Sequence, residues 1–307
     1  MYDLIIIGGG PAGVAAGVYA ARKRLKTVLI AEIIGGQSMD STEIQNWIGT
    51  EKISGLALAK SFTKHLKAYA GDVVTLAIGE RATKLEKLGS DFKVTTQKNQ
   101  YEAKAVLIAS GGHRRKLTIP GAVEFENKGV TYCASCDGPL FADQDVAVIG
   151  GGNAGFETAQ QLLAYAKSVT LIHRGETFNK ADAATVEAVK AHPNFIALTS
   201  SEPIEVNGGP FVAGVVVKST ISGETRELPV TGIFVEVGML PNTDFAEEVV
   251  TLDAHKRIVA DAKNQRTSVE GIWAAGDVTD ELYHQNNIAA GDGVKALEDI
   301  YFWLKKQ

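Results

Sequence analysis

A short apolar run followed at once by Gly-x-Gly-x-x-Gly opens this chain, and the pattern returns near its middle. Leu4-Ile5-Ile6-Ile7 leads into Gly8-x-Gly10-x-x-Gly13, with Pro11 and Ala12 between the last two glycines. Val146 to Ile149 leads into Gly150-x-Gly152-x-x-Gly155, which contains Asn153. Continuous apolar runs suit strands buried on both faces of a parallel sheet. Glycines at this spacing allow a tight turn, close approach of a pyrophosphate and close helix packing. The helix that follows offers its free N–H groups to phosphate. Each turn is followed by a small-residue helix and another strand: Ala12 to Arg24 then Thr27 to Ile30, and a helix through Ala166 then Val169 to Ile172. The expected fold is α/β, with two Rossmann-like, doubly wound nucleotide-binding domains. A length of 307 residues also favours two domains.

The strand after each turn ends differently. Glu32 closes the first and is placed to accept a hydrogen bond from a ribose 2′-OH. His173-Arg174 closes the second. Arg174 there suits a 2′-phosphate, and it reads equally well as a solvated charge after a strand.

The chain has only two cysteines, Cys133 and Cys136, with Asp137 directly after them. Cysteines three residues apart can close a small disulfide ring, and a turn or helix N-terminus lowers a thiolate's pKa. Half a zinc knuckle or two buried cysteines are the structural alternatives. A structural zinc site wants four ligands; without a second pair, no metal is expected. Asp137 is placed to handle a proton.

Bulk properties exclude other classes. Net charge is -5, and the longest basic run is Arg114-Arg115-Lys116, which argues against nucleic acid as partner. Leu4 to Ala21 carries no charge, but its glycines and Pro11 mark strand, turn and helix rather than a membrane span or leader. Two close cysteines do not make a secreted disulfide framework, so a cytoplasmic redox pair is expected.

Gly55 to Tyr69 reads as a helix with Leu56, Ala59, Phe62, Leu66 and Tyr69 on one face. Val73 to Val106 and Phe195 to Val237 read as short strands between polar turns. Ala105 to Ala109 is a buried strand ending at Ser110-Gly111-Gly112. Gly271 to Asp277 is a short strand ending in a Gly-Asp turn, and Ile288 to Leu304 is the last helix. Loop signals place domain boundaries near 113–120 and near Gly238 to Thr243.

These motifs together resemble the low-molecular-weight bacterial and archaeal thioredoxin reductases. The resemblance rests on Gly8-Gly9-Gly10-Pro11-Ala12-Gly13, Gly35-Gly36-Gln37, Ile119-Pro120-Gly121, Tyr132-Cys133-x-x-Cys136-Asp137-Gly138, Gly150 to Asn153 and Ala275-Gly276-Asp277, in family order. Cys136 to Phe141 and Gly232 to Thr243 are more similar to the flavoprotein subunit of alkyl hydroperoxide reductase. That relative carries an additional N-terminal redox domain.

The resemblance implies a discontinuous FAD domain, residues 1–113 and 243–307, and an inserted NAD(P)H domain, residues 114–242, carrying the dithiol. FAD would be held by Gly8, Gly10, Pro11, Ala12, Gly13 and Glu32 at its adenosine end. Gly36, Gln37, Asn46, Ala109, Gly111, Gly276, Asp277, Gln285 and Ala290 would meet the rest. NAD(P)H would meet Gly150, Gly152, Asn153, Gly155, His173 and Arg174. Cys136 would be the flavin-side sulfur, Cys133 the one that attacks a thioredoxin-like protein's disulfide, and Asp137 the acid/base. A homodimer is implied. Gly175 and Asn179 stand where NADPH-using relatives carry arginine, with Lys180 as a partial substitute, so NADH or dual use is open. Other readings are a peroxiredoxin or glutaredoxin-like partner, an unusual electron donor, or a flavin-bound redox sensor.

Overall fold

In a computed structural model that describes residues 1–41, 43–179 and 181–307, the apolar run becomes the strand Tyr2–Ile7, whose alternate side chains enter two separate cores. Leu4 and Ile6 pack with the helices Pro11–Arg22, Gly55–Ala70 and Asn286–Leu304. Ile5 and Ile7 pack with Val28, Phe92, Val106 and Ile272 on the other face. Burial on both faces is why this strand has no polar positions from Leu4 onward.

The chain divides into two compact units, Met1–His113 with Leu240–Gln307, and Arg114–Met239. The second crossing therefore lies at 239/240. The first unit's sheet runs in the order Val74–Ile78, Thr27–Ala31, Tyr2–Ile7, Gln100–Ile108, Asp91–Thr96, Ala82–Leu88. The first four strands are parallel; the last two form an antiparallel hairpin, of which Asp91–Thr96 pairs antiparallel with Gln100–Ile108. Ile272–Ala274 adds in parallel to the far half of Gln100–Ile108.

The second unit has a five-stranded parallel sheet in the order Phe195–Leu198, Ser168–Ile172, Asp145–Ile149, Gly232–Val235, Val130–Thr131. A separate antiparallel sheet joins Ser201–Gly208, Val212–Ser219 and Thr225–Leu228. Helix Asn153–Leu162 follows the second glycine turn. The fold is thus α/β with two Rossmann-like units, the second inserted into the first.

Several elements differ from expectation. Helix Gly55–Ala70 buries Leu58, Ala59, Phe62 and Leu66, while Leu56 and Tyr69 face solvent. The i, i+4 stripe begins at Leu58, and Leu56 lies off its axis. Helix Asn153–Leu162 stops short of Ala166 because the chain turns at Leu163 to Tyr165. Helix Ala183–Lys190 has no counterpart in the sequence pattern; Asp182 caps it by accepting from the Thr185 N–H at 2.9 Å. Among the described residues, no helix is long and apolar enough to cross a membrane.

Candidate active site

A cavity of about 710 Å³ lies within the first unit, above the carboxyl ends of its parallel strands. The first glycine turn forms its floor. Gly8 has φ +126°, and a Cβ there would overlap the Ala109 carbonyl. Gly13 packs against the Gly8 carbonyl, whereas a Cβ on Gly10 would meet nothing within 4 Å. The turn is thus closed behind and open in front. Helix Pro11–Arg22 begins at Gly10 with Pro11 in its first turn and no side-chain cap. Its first N–H groups stay available to an anion, which this fold places at a pyrophosphate. A dinucleotide fits these walls.

Gly8, Gly10, Pro11, Ala12, Glu32, Gly36, Gln37, Ala109, Gly111, Gly276 and Asp277 all line this cavity. Gly13 does not; it sits under the turn. Ala289 lines the cavity and Ala290 does not, a shift of one helix position. Asn46 and Gln285 lie outside the lining and meet each other, Asn46 Nδ2 donating to Gln285 Oε1 at 3.1 Å. Gln37 Nε2 donates to the Gly112 carbonyl, which ties the Gly36 loop to the far wall.

Arg81 and Asn242 also line the cavity, and neither is among the site residues expected from the sequence, although Asn242 falls in the Gly232 to Thr243 stretch of the resemblance. Arg81 Nη1 lies 3.7 Å from Glu32 Oε2, both side chains being about half exposed. Asn242 holds the far wall. Its Nδ2 donates to the Ser110 carbonyl at 2.9 Å, and Ser110 Oγ donates to the Asn242 carbonyl at 2.7 Å. Pro241-Asn242-Thr243 signals only a turn in sequence, and Arg81 carries no local signal.

The second glycine turn repeats this construction. Gly150 has φ +126°, a Cβ there would overlap the Glu236 carbonyl, Gly155 packs on the Gly150 carbonyl, and Gly152 faces open space. Helix Asn153–Leu162 again has no side-chain cap. Asn153 Oδ1 accepts from the Asp182 N–H at 2.7 Å. His173 lies over the turn: a Cβ on Gly151 would come within 2.6 Å of its ring. His173 Nε2 lies 3.1 Å from the Thr177 carbonyl, which as an acceptor requires the proton on that nitrogen. Arg174 is exposed, and among the described residues its guanidinium forms no ion pair. Lys180 lies outside the described residues.

Cys133 and Cys136, also in the second unit, form a disulfide with Cα atoms 5.3 Å apart. The tie consumes both sulfurs, so neither is a thiolate ligand here. Cys133 caps the one-turn helix Ala134–Asp137, its carbonyl accepting from Cys136 N at 3.2 Å and Asp137 N at 3.0 Å. Asp137 is partly buried, and Thr131 Oγ1 donates to its carboxyl. Burial raises the Asp137 pKa, against the Thr131 hydrogen bond that lowers it. A carboxyl of raised pKa next to a disulfide in sequence is suited to exchange a proton as the sulfurs separate.

Known proteins resemble the chain along its whole length. The family described as pyridine nucleotide-disulphide oxidoreductase matches residues 2–293. An alkyl hydroperoxide reductase subunit of Staphylococcus epidermidis is 40% identical over 304 residues, 99% of this chain and 59% of that protein. The chain therefore spans about three fifths of the length of the curated relatives it matches. The thioredoxin reductase of Streptococcus pyogenes superposes with a TM-score of 0.92 at 35% identity, covering 100% of this chain and 99% of that one. The thioredoxin reductase of Giardia duodenalis gives 0.93 at 33% identity, covering 99% of each.

Proposed function

This chain belongs to the pyridine nucleotide-disulphide oxidoreductase family, and from that premise we propose that it carries electrons from NAD(P)H through FAD and the Cys133/Cys136 pair to the disulfide of a thioredoxin-like protein. Members of this family are oxidoreductases that depend on FAD and NAD(P)H. The observation that carries the reading is the closed Cys133–Cys136 disulfide beside an acid of raised pKa, in the same unit as a dinucleotide turn.

When bound, the flavin supplies two-electron exchange between a nicotinamide and a disulfide. The remaining tasks fall to the chain. Gly10 and the N-terminus of helix Pro11–Arg22 bind the FAD pyrophosphate. Glu32 orients the adenosine ribose. Gln37, Gly111 and Asp277 wall the rest of the cavity. Gly152 and helix Asn153–Leu162 bind the pyridine nucleotide. Cys136 takes the flavin side, Cys133 attacks the partner disulfide, and Asp137 delivers and recovers the proton. Among the described residues Arg174 is the cation placed for a 2′-phosphate, and the uncharged Gly175 and Asn179 follow it in sequence. Without the two arginines a 2′-phosphate gives up charge-assisted contacts, which favours NADH or dual use.

A second reading keeps this chemistry and changes the partner to a peroxiredoxin. The 40% identity to an alkyl hydroperoxide reductase subunit supports it. A homodimer in the cytoplasm belongs to the same proposal, on the resemblance alone.

Anaerobic titration of the yellow holoprotein with NADH and with NADPH tests the donor, read as bleaching of the flavin. Turnover with thioredoxin, glutaredoxin-like and peroxiredoxin disulfides, measured side by side, tests the partner. Bleaching by neither nucleotide would overturn the donor, and failure with every disulfide would overturn the reductase reading.

A further inference from the structure

The two glycine turns are built alike, so the first shows where a ligand meets the second. Ala109 follows strand Gln100–Ile108, the parallel neighbour of the strand that leads into Gly8. Glu236 follows strand Gly232–Val235, the parallel neighbour of the strand that leads into Gly150. Each presents its carbonyl to the first glycine of its turn. Ala109, Ser110 and Gly111 line the first unit's cavity. Glu236, Val237 and Gly238 hold the matching wall in the second unit, at the carboxyl ends of adjacent strands where doubly wound sheets take their ligands.

The two walls differ in charge. Ala109 brings none. Glu236 brings a carboxyl whose side chain is 6% exposed. Thr158 Oγ1, on the helix of the second turn, donates to Glu236 Oε1 at 2.9 Å. Arg114 Nη1 donates to Glu236 Oε2 at 2.7 Å. Burial pushes the Glu236 pKa up, and the Arg114 charge pulls it back down. A bare carboxylate on this wall would repel a pyrophosphate. Arg114 cancels that repulsion and has donors to spare. A guanidinium carries five N–H groups, the side chain is 32% exposed, and among the described residues Glu236 is its one side-chain partner. At the other end of the crevice, by contrast, Gly175 and Asn179 bring no charge beside Arg174.

We propose that Arg114, held in place by the buried carboxyl of Glu236, binds the pyrophosphate–nicotinamide half of the pyridine nucleotide in the second unit. The inference rests on the second turn being the pyridine-nucleotide site. Arg114 touches the part that NADH and NADPH share, so it serves both coenzymes alike. Glu236 is a positioning residue: it fixes the guanidinium and does not itself meet the anion.

The test is equilibrium binding of NAD+ and NADP+ to the FAD-loaded protein by calorimetry. The double variant Arg114→Met/Glu236→Met removes the pair without stranding a buried charge. It should keep its FAD and its melting temperature, and weaken both nucleotides by the same factor, about tenfold or more. Glu236→Gln should weaken both by a smaller common factor. Should the double variant fail to fold, Arg114→Lys, which keeps the charge and loses the fork, should show the equal loss at reduced size. Unchanged affinities in a folded variant would overturn the proposal, since the pair would then be structural. A loss confined to NADP+ would also overturn it, by placing Arg114 at the adenosine end. If the unaltered protein binds neither nucleotide, the reading of the site fails, and this inference fails with it.

Discussion

Gly8 and Gly150 share a φ of +126°, and Gly13 and Gly155 press against equivalent carbonyls, yet the two turns are walled by different chemistry. The first faces Glu32 with Arg81 beside it and the neutral Ala109. The second lies under the His173 ring, beside the Glu236–Arg114 pair, and shares its unit with the Cys133–Cys136 disulfide. Steric demands on the backbone are the same wherever a strand must turn into a helix under a pyrophosphate, so the glycines repeat. Side chains at the rim choose the ligand, so they do not. One architecture thus serves two proposed tasks: holding a flavin, and delivering electrons to it and onward from it.

The sharpest break between the units comes at sulfur. Cys133→Ser or Cys136→Ser should lower turnover with a protein disulfide by at least about a thousandfold, while NAD(P)H still bleaches the flavin. Stopped-flow absorbance and a partner-reduction assay separate the two steps. Wild-type turnover in either variant would remove the dithiol from the path.

A matched pair of substitutions probes the shared backbone. Gly8→Ala and Gly150→Ala each place a Cβ at φ +126° against a carbonyl, and each should destabilise by at least about 2 kcal/mol. Their ligand effects should part. Gly8→Ala should lose FAD, read as flavin absorbance per protein. Gly150→Ala should keep FAD and lose nucleotide binding. Release of FAD by Gly150→Ala would dissolve the assignment of the two turns.

Asp137→Asn comes next. It should slow disulfide turnover by about a hundredfold without loss of either ligand. Burial raises the Asp137 carboxyl above its unfolded value, so the fold favours its protonated form. That contribution to stability is complete below the unfolded value, about 3.9, and is lost as pH rises through the folded one. Melting temperatures followed from low to neutral pH should show this decline in the wild type and less of it in Asp137→Asn. Equal pH profiles would mean that the fold does not raise the Asp137 pKa.

The smallest effect belongs to Glu32. Its pair with Arg81 is exposed, and such pairs contribute about 0–1 kcal/mol. Glu32→Gln should leave the melting temperature unchanged and weaken FAD a few-fold. An unchanged FAD affinity would place Glu32 outside the ribose contact.

What can be read from sequence follows the same division. Both turns are legible because apolar run, glycine spacing and helix are local demands written in consecutive residues. The disulfide pair is legible for the same reason. Arg81, Asn242 and Glu236 are not, because their positions come from pairing between strands far apart in the chain. Helix Ala183–Lys190 escapes notice because eight residues hold too little period to stand out, although Asp182 is a recognisable cap. Ala289 lines the cavity and Ala290 does not, and nothing in the local sequence tells two adjacent alanines apart.

The electron path itself is tested most directly by counting thiols. The FAD-loaded protein, with its disulfide closed, is mixed anaerobically with NADH or NADPH in excess and then alkylated and mapped by mass spectrometry. Label at both Cys133 and Cys136, absent without nucleotide and lost again on adding an oxidised thioredoxin-like protein, is the expected result. A flavin that bleaches while both cysteines stay unlabelled would contradict the path from nucleotide to dithiol.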